Sequence, residues 1–188
     1  MNFGRAILAL GAPRTFAEAI GELRGRGSQW LAGHLGIPAR TARYYLSGAR
    51  EPNPRTAVGR QRRQAVMDAV DRAGRLRIAA RALRQARTLS VGRVKVATKS
   101  KDKPDGSRSI GTVLVDGEAR SERIEPPSSL EEVADMLIAD PPDIGGAEAA
   151  FSECILGLYA VSRTPPQNRD SARAHIYVYD YPSGIQAG

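Results

Sequence analysis

Charge is partitioned along this chain in a way that restricts its folding. Between Met1 and Lys101 there are 21 Lys/Arg against 5 Asp/Glu, a net +16; between Asp102 and Gly188 there are 7 against 15, a net −8. A segment carrying +16 has too few carboxylates to neutralise itself. It must spread its cations over a solvated surface or meet an external polyanion. Nearly all of these cations are arginine, whose planar fork donates two parallel hydrogen bonds to a phosphate. The partition predicts a basic helical domain over 1–90 and a small acidic domain over 91–188.

With 188 residues there is room for one sizeable domain or two small ones. Apolar residues make up 41% and aromatics 5%, so a core is possible and must be mostly aliphatic. Cys154 has no second cysteine to pair with, and Cys/His zinc spacing is absent. A reducing, cytoplasmic setting is expected. No run of 18 apolar residues exists, so no transmembrane helix and no membrane partner are expected. The apolar part of "MNFGRAILALGAPR" is too short for a signal peptide, and this stretch reads as an ordinary N-terminal segment.

The stretch "SQWLAGHLGIPARTARYYLSG", residues 28–48, reads as a helix–turn–helix. Ser28 is placed to cap a first helix that ends near Leu35. Gly36 sits where the turn needs a residue without a Cβ penalty, and Pro38 opens the second helix. Leu31, Leu35, Ile37, Ala42 and Tyr45 take the positions that need apolar contacts, and small Ala32 lies where the helices cross. The alternative is a purely structural helical hairpin. As a DNA reader, the second helix would lie in the major groove with Arg40, Thr41, Arg43 and Tyr44 outward. Arginine there can bond guanine or hold phosphate, and the sequence does not decide between them. Tyr45 and Leu46 are assigned to the core, Trp30 to packing, and His34 to no metal.

Beyond Gly48 the prolines at 52 and 54 mark a loop that includes Arg50. A long helix is predicted from near Arg55, carrying Arg60, Arg62 and Arg63, with Val58, Val66, Met67 and Val70 as its apolar stripe and Gly74 interrupting it. "RLRIAARALRQARTL" resumes the pattern, with Leu76, Ile78, Ala79, Leu83 and Ala86 inward and Arg77, Arg81 and Arg84 among the outward cations. A membrane-surface helix would carry similar charge. Beside a helix–turn–helix, a helix that tracks phosphates is the better fit.

The acidic half alternates strand and helix patterns. "VGRVKVATK" and "SIGTVLVDG" read as two strands of a hairpin joined by the turn "DKPDGS". Ser128 with Glu131 reads as a capping box, ahead of a helix with Val133, Met136, Leu137 and Ile138 inward. "GAEAAFSECILGLYAV" is a second helix with Cys154 on its apolar face, and "TPPQNRDSA" is a loop. "HIYVYDY" is a last strand with Tyr177, Tyr179 and Tyr181 on one face, serving either an interface or the core. The fold class expected is α+β: an N-terminal all-α helix–turn–helix domain followed by a small α/β domain. The residues assemble no P-loop, no nucleophile elbow and no spaced metal cluster, so neither an enzyme nor a cofactor is expected.

The order of these segments resembles the telomere terminal protein family of linear Streptomyces-type chromosomes and plasmids. The resembling residues are "AGHLGIPARTARYYLSGAREPNPR", "RIAARALRQARTLSVGRVKV", "SIGT", "IEPPSSLEEVADMLIA", "GAEAAFSECILGLYAV" and "HIYVYDY", together covering roughly Ala17 to Tyr181. The resemblance implies a protein primer, joined covalently to the 5′ end of the DNA through a side-chain hydroxyl to which a DNA polymerase adds the first nucleotide. It implies as partners the telomeric DNA ends, the polymerase with its metal ions, and a telomere-associated companion protein, and it implies a nucleoid-associated location. It places the acceptor threonine after a glycine near the second hairpin strand. Thr112, after Ile110-Gly111, is the first choice, and Ser109 and Ser107 are the fallbacks. A β-branched Thr112 that serves only its strand is the alternative.

Two other functions suit the same residues. A transcriptional regulator would pair the helix–turn–helix with a C-terminal dimerisation domain and bind half-sites about 34 Å apart as a homo-oligomer. A nucleoid protein would bind with a steep salt dependence and little sequence preference.

Overall fold

The computed structural model describes residues 1–98, 106–115, 129–163 and 176–188. Among them the chain is mixed α+β, with eight α-helices and a small antiparallel sheet of four strands. It divides into two compact units, Ala12–Arg75 and Met1–Gly11 with Leu76–Gly188. The boundary expected at residue 90 does not coincide with this division. The charge changes sign well after the point where apolar side chains begin to serve the sheet, and the first helix serves the sheet as well.

In the unit Ala12–Arg75, α2 (Phe16–Leu23) is followed by a 3-10 turn (Arg24–Arg26), α3 (Ser28–Leu35), α4 (Ala39–Ser47) and α5 (Ala57–Asp68). Thr15 starts α2: its hydroxyl accepts the Glu18 N–H (3.1 Å), and the Glu18 carboxylate accepts the Arg14 N–H (2.7 Å). Phe16, Ala19, Ile20 and Leu23 bury one face of α2, and the Phe16 ring meets Tyr45 edge-on at 5.6 Å. The helix expected from Arg55 begins at Ala57, because Thr56 is its cap and accepts the Gly59 N–H (3.0 Å). Of its expected stripe, Val66 and Val70 are buried, Met67 is half-buried, and Val58 is 56% exposed because it lies in the first turn, away from the core. The interruption lies before Gly74: α5 ends at Asp68, and Asp71 accepts the Gly74 N–H (2.9 Å) to start α6 (Arg72–Gln85). Gly74 is inside that helix, where a Cβ would come 2.7 Å from Val70 Cγ1.

In the other unit, α1 (Phe3–Leu10), the part of α6 from Leu76 onward, α7 (Leu130–Ile138) and α8 (Ile144–Arg163) share one core with the sheet. Strand β1 (Thr88–Thr98) is central. β2 (Gly106–Leu114) pairs along one edge, and β3 (Ile176–Asp180) and the short β4 (Gln186–Ala187) share the other. All pairings are antiparallel, so this unit is α+β, not the α/β expected. The apolar phase of β1 shifts from Leu89 and Val91 to Val94 and Val96, all buried. The shift is possible because the ladder is irregular on both sides of the Gly92–Gly111 pair, where both glycines have positive φ (59° and 72°).

Ring contacts of 5.5–5.9 Å join Phe3, Phe151 and Tyr181 at the centre of this core. Tyr181 is fully buried, and burial followed by the Glu148 charge drives its phenol pKa upward. It does not share a face with exposed Tyr177: the ladder is irregular at Tyr179, and the chain then turns inward. The expected capping box is shifted by one residue, since Ser129 accepts the Glu132 N–H (3.1 Å). This register buries Leu130, Val133, Ala134 and Leu137 and leaves Ile138 43% exposed. Cys154 is buried on the inner face of α8, and Ser152 accepts the Val178 N–H (2.7 Å). The "DKPDGS" turn up to Asp105, Ser128 and the "TPPQNRDSA" loop up to Ala172 lie outside the described residues.

A Cβ at Gly59 would fall on the Asn53 carbonyl and within 2.8 Å of Thr56 Oγ1. Gly59→Ala will therefore lower the urea midpoint, at a cost of about 1–3 kcal/mol, whereas Gly21→Ala, with nothing near its Cβ, will hold or raise it. A raised midpoint in both variants contradicts this packing.

Burial pushes the Cys154 thiol from 9.0 to about 11. The thiol form is favoured by folding, so this contribution to stability is complete below pH 9.0 and is lost as pH rises through about 11. Below pH 9.0, Ellman's reagent will label Cys154 only after denaturation; rapid labelling of the native protein contradicts the burial.

Candidate nucleic-acid interface

The α3–α4 pair is built by local backbone chemistry. Gly27, at φ 81°, is the residue before α3, and Ser28 is the first helical residue, with no side-chain cap bond at this end. The expected Ser28 cap is thus replaced by a glycine in a conformation that other residues adopt at a cost. Gly36 closes α3 at φ 61°, ψ 40°, and the Ile37 N–H reaches back to the Ala32 carbonyl (3.1 Å). That closure buries Ile37. Pro38 precedes α4 with extended ψ (141°), and its carbonyl accepts the N–H groups of Thr41 (2.9 Å) and Ala42 (3.1 Å). Leu31, Ile37, Ala42 and Tyr45 are buried, while Ala32, Leu35 and Leu46 are half-buried.

The opposite face of α4 is polar and cationic. Arg40, Arg43 and Tyr44 are exposed, and Thr41 is half-buried. Arg40 Nε donates to the Tyr44 hydroxyl (3.2 Å), and its guanidinium stands 5.7 Å from that ring's centroid. After α4, Arg50 and Arg55 are exposed, and Arg60 donates to the carbonyls of Pro54 (3.4 Å) and Arg55 (3.2 Å), fastening the loop to α5. Half-buried Arg63 is already engaged: it pairs with Glu51 at 2.7 Å and lies 5.4 Å over Phe16. Among the described residues no carboxylate pairs with Arg40, Arg43, Arg50, Arg55, Arg60 or Arg62. The whole unit carries twelve arginines and no lysine against five carboxylates.

The remaining candidates belong to the other unit. Arg77, Arg81 and Arg84 are exposed on α6, and Arg84 pairs with Asp135 of α7. Thr112 and Ser109 are exposed on β2, opposite Ser90 and Arg93 of β1, and Ser107 lies opposite Lys95 in the same register. Strand pairing therefore leaves the Thr112 side chain accessible. Among the described residues β2 is an edge strand, and Gly111 beside Thr112 has no neighbour within 4 Å of where a Cβ would stand.

Trp30, expected in the packing, is 37% exposed on α3. It stacks on His34 at 5.1 Å with an interplanar angle of 9°, and the Arg26 guanidinium stands 5.6 Å from its ring centroid. Arg26 is in turn paired with Asp71. Trp30 and His34, four residues apart on α3, share one helical face, whereas Arg26 reaches the ring from the 3-10 turn that precedes Gly27.

Among the described residues no helix is long and apolar enough to cross a membrane. No family model, no curated protein and no solved structure matches this chain.

Proposed function

We propose that this chain is a DNA-binding terminal protein that primes synthesis at the ends of a linear replicon. The observation that carries the DNA-binding part is the α3–α4 pair with six nearby arginines that no described carboxylate neutralises. In this reading α4 enters the major groove, with Arg40, Arg43 and Tyr44 toward base edges, while Arg50, Arg55, Arg60 and Arg62 hold flanking phosphates. The binding is thus strongly electrostatic.

The priming part rests on the accessibility of Thr112. Its Oγ attacks the α-phosphorus of a deoxynucleoside triphosphate, forming a phosphate ester and releasing pyrophosphate, and its proton passes to a base of the polymerase or to water. The polymerase's metal ions stabilise the charge on the phosphates, so the primer need not hold a base of its own. A companion telomere-binding protein and the polymerase are the protein partners of this reading. A transcriptional regulator dimerising through the sheet unit is the second reading. The edge position of β2 among the described residues favours it, because an edge strand admits pairing with a second copy.

Affinity for a DNA duplex, read by fluorescence anisotropy, will fall steeply with salt. The Arg50→Ala/Arg55→Ala variant will reduce the log–log slope by about 0.9 for each phosphate it no longer neutralises. An unchanged slope removes these arginines from the interface. For priming, the protein is incubated with the cognate polymerase, the companion protein, a single-stranded terminal template and labelled nucleotide. Label that survives denaturation on the wild type and is lost in Thr112→Ala, with the circular dichroism spectrum intact, is the expected result. Label retained in Thr112→Ala moves the acceptor to another hydroxyl, and no label on the wild type favours the regulator.

A further inference from the structure

We infer that Arg40 reads a guanine in the major groove and that Tyr44 is the positioning residue that aims it. The inference rests on the DNA-binding reading above and assigns a base to one of the side chains that reading sends toward base edges. An arginine on a recognition helix serves either a guanine edge or a phosphate, and the two demand different things of the side chain. A phosphate accepts hydrogen bonds from many directions, so a mobile cation serves it. A guanine offers N7 and O6 in one plane, and only a guanidinium fork held at the right angle meets both.

Three observations assign Arg40 to the guanine class. First, it is the second residue of α4 (Ala39–Ser47), in the turn by which a recognition helix meets base edges. Second, its guanidinium is braced before any DNA arrives. Nε donates to the Tyr44 hydroxyl at 3.2 Å, and the guanidinium carbon stands 5.7 Å from the centroid of the same ring, one helical turn on. The brace uses Nε and leaves the terminal pair, Nη1 and Nη2, to meet N7 and O6. A side chain restrained in this way loses less rotamer freedom on binding.

Third, those terminal nitrogens have no other occupant among the described residues. Other arginines of the unit show the contrast. Arg63 also lies over a ring, but its Nη1 is bonded to Glu51. Arg60 gives Nη1 to the carbonyls of Pro54 and Arg55. Arg43, Arg50 and Arg55 are exposed, and no described residue bonds to their guanidinium groups. Such unbraced cations suit phosphates, whereas the braced fork of Arg40 suits a base.

The test uses the full chain and a pool of DNA duplexes randomised at their central base pairs; bound duplexes are recovered and sequenced. The wild type should enrich a G·C pair at a fixed position of the site. Arg40→Ala should lose the preference at that position and keep those at the others, and Arg43→Ala should keep it. Tyr44→Phe, which retains the ring and removes the acceptor, should weaken the same preference and no other. On the enriched duplex, replacing that guanine by adenine should weaken wild-type binding roughly tenfold or more, and Arg40→Ala should bind both duplexes equally. Arg40 and Tyr44 are both exposed, so neither substitution disturbs the core. A G·C preference that persists in Arg40→Ala overturns the inference, as does one left undiminished in Tyr44→Phe. Binding by the wild type with no base enriched also overturns it and leaves the DNA-binding reading standing. Failure of the wild type to bind any duplex of the pool overturns both.

Discussion

The sheet unit depends on β1, the one described strand paired along both edges, and β1 depends on a bend. A strand alternates its faces with period two, so an unbroken β1 that buried Leu89 and Val91 would turn Val94 and Val96 to solvent. The irregularity around Gly92 takes up the extra step, and β2 makes a matching step at Gly111. A Cβ at Gly92 would also approach Ser183 to 2.8 Å, so backbone conformation and space both exclude a larger residue. Because the two steps match, Ile110 and Val113 both reach the core and Ser109 and Thr112 both face outward. The exposure of the candidate acceptor is thus decided by the backbone at its neighbouring residue.

In the unit Ala12–Arg75 the scarcity of carboxylates sets the pattern. The few present mostly hold the fold together. Glu18 closes the start of α2, Asp71 starts α6 and fixes Arg26, Asp68 takes a bond from Gln64, and Glu51 holds Arg63. Little negative charge then remains for the arginines on α4 and the following loop. A basic surface left this way raises the local concentration of any polyanion, and its interactions weaken as salt screens them. Arg63 and Arg84 resemble the other arginines in sequence but are tied to carboxylates, which a linear pattern of charge does not reveal.

Much of this arrangement is legible in the residues, and where the structure differs from the sequence pattern the causes are particular. The α3–α4 pair was readable because its turn demands Gly36 and Pro38, whose backbone limits are intrinsic. The apolar spacing of α6 and the burial of Cys154 were readable for the same kind of reason. Ser128 and Ser129 are each followed three residues later by a glutamate, so the capping pattern alone does not distinguish two starts for α7; the buried set Leu130, Val133, Ala134 and Leu137 selects the second. Tyr181 was grouped with Tyr177 because alternation cannot anticipate an irregular ladder. The boundary expected at residue 90 follows charge, which marks surfaces, whereas the compact units follow which apolar side chains share a core. Phe3, Ile7 and Leu10 join that core from the far end of the chain.

Ser109 and Thr112 share the outer face of β2, yet under the priming reading they would not be equivalent as acceptors. In that reading a polymerase would have to bring a nucleoside triphosphate and its metal ions up to the hydroxyl, so the approach would have to be open on the side of the attack. Ser109 stands opposite Arg93, a long side chain that is itself engaged in an interaction. Thr112 stands opposite Ser90, a short one, and its neighbour Gly111 contributes no side chain. Both rows of the ladder thus leave more room at Thr112. Threonine's β-branch restricts χ1, so its hydroxyl is offered in fewer directions than serine's and less entropy is lost when it is aligned for attack. Under the priming reading these two properties, open flanks and a restricted rotor, select Thr112 over Ser109 on physical grounds separate from its place after a glycine.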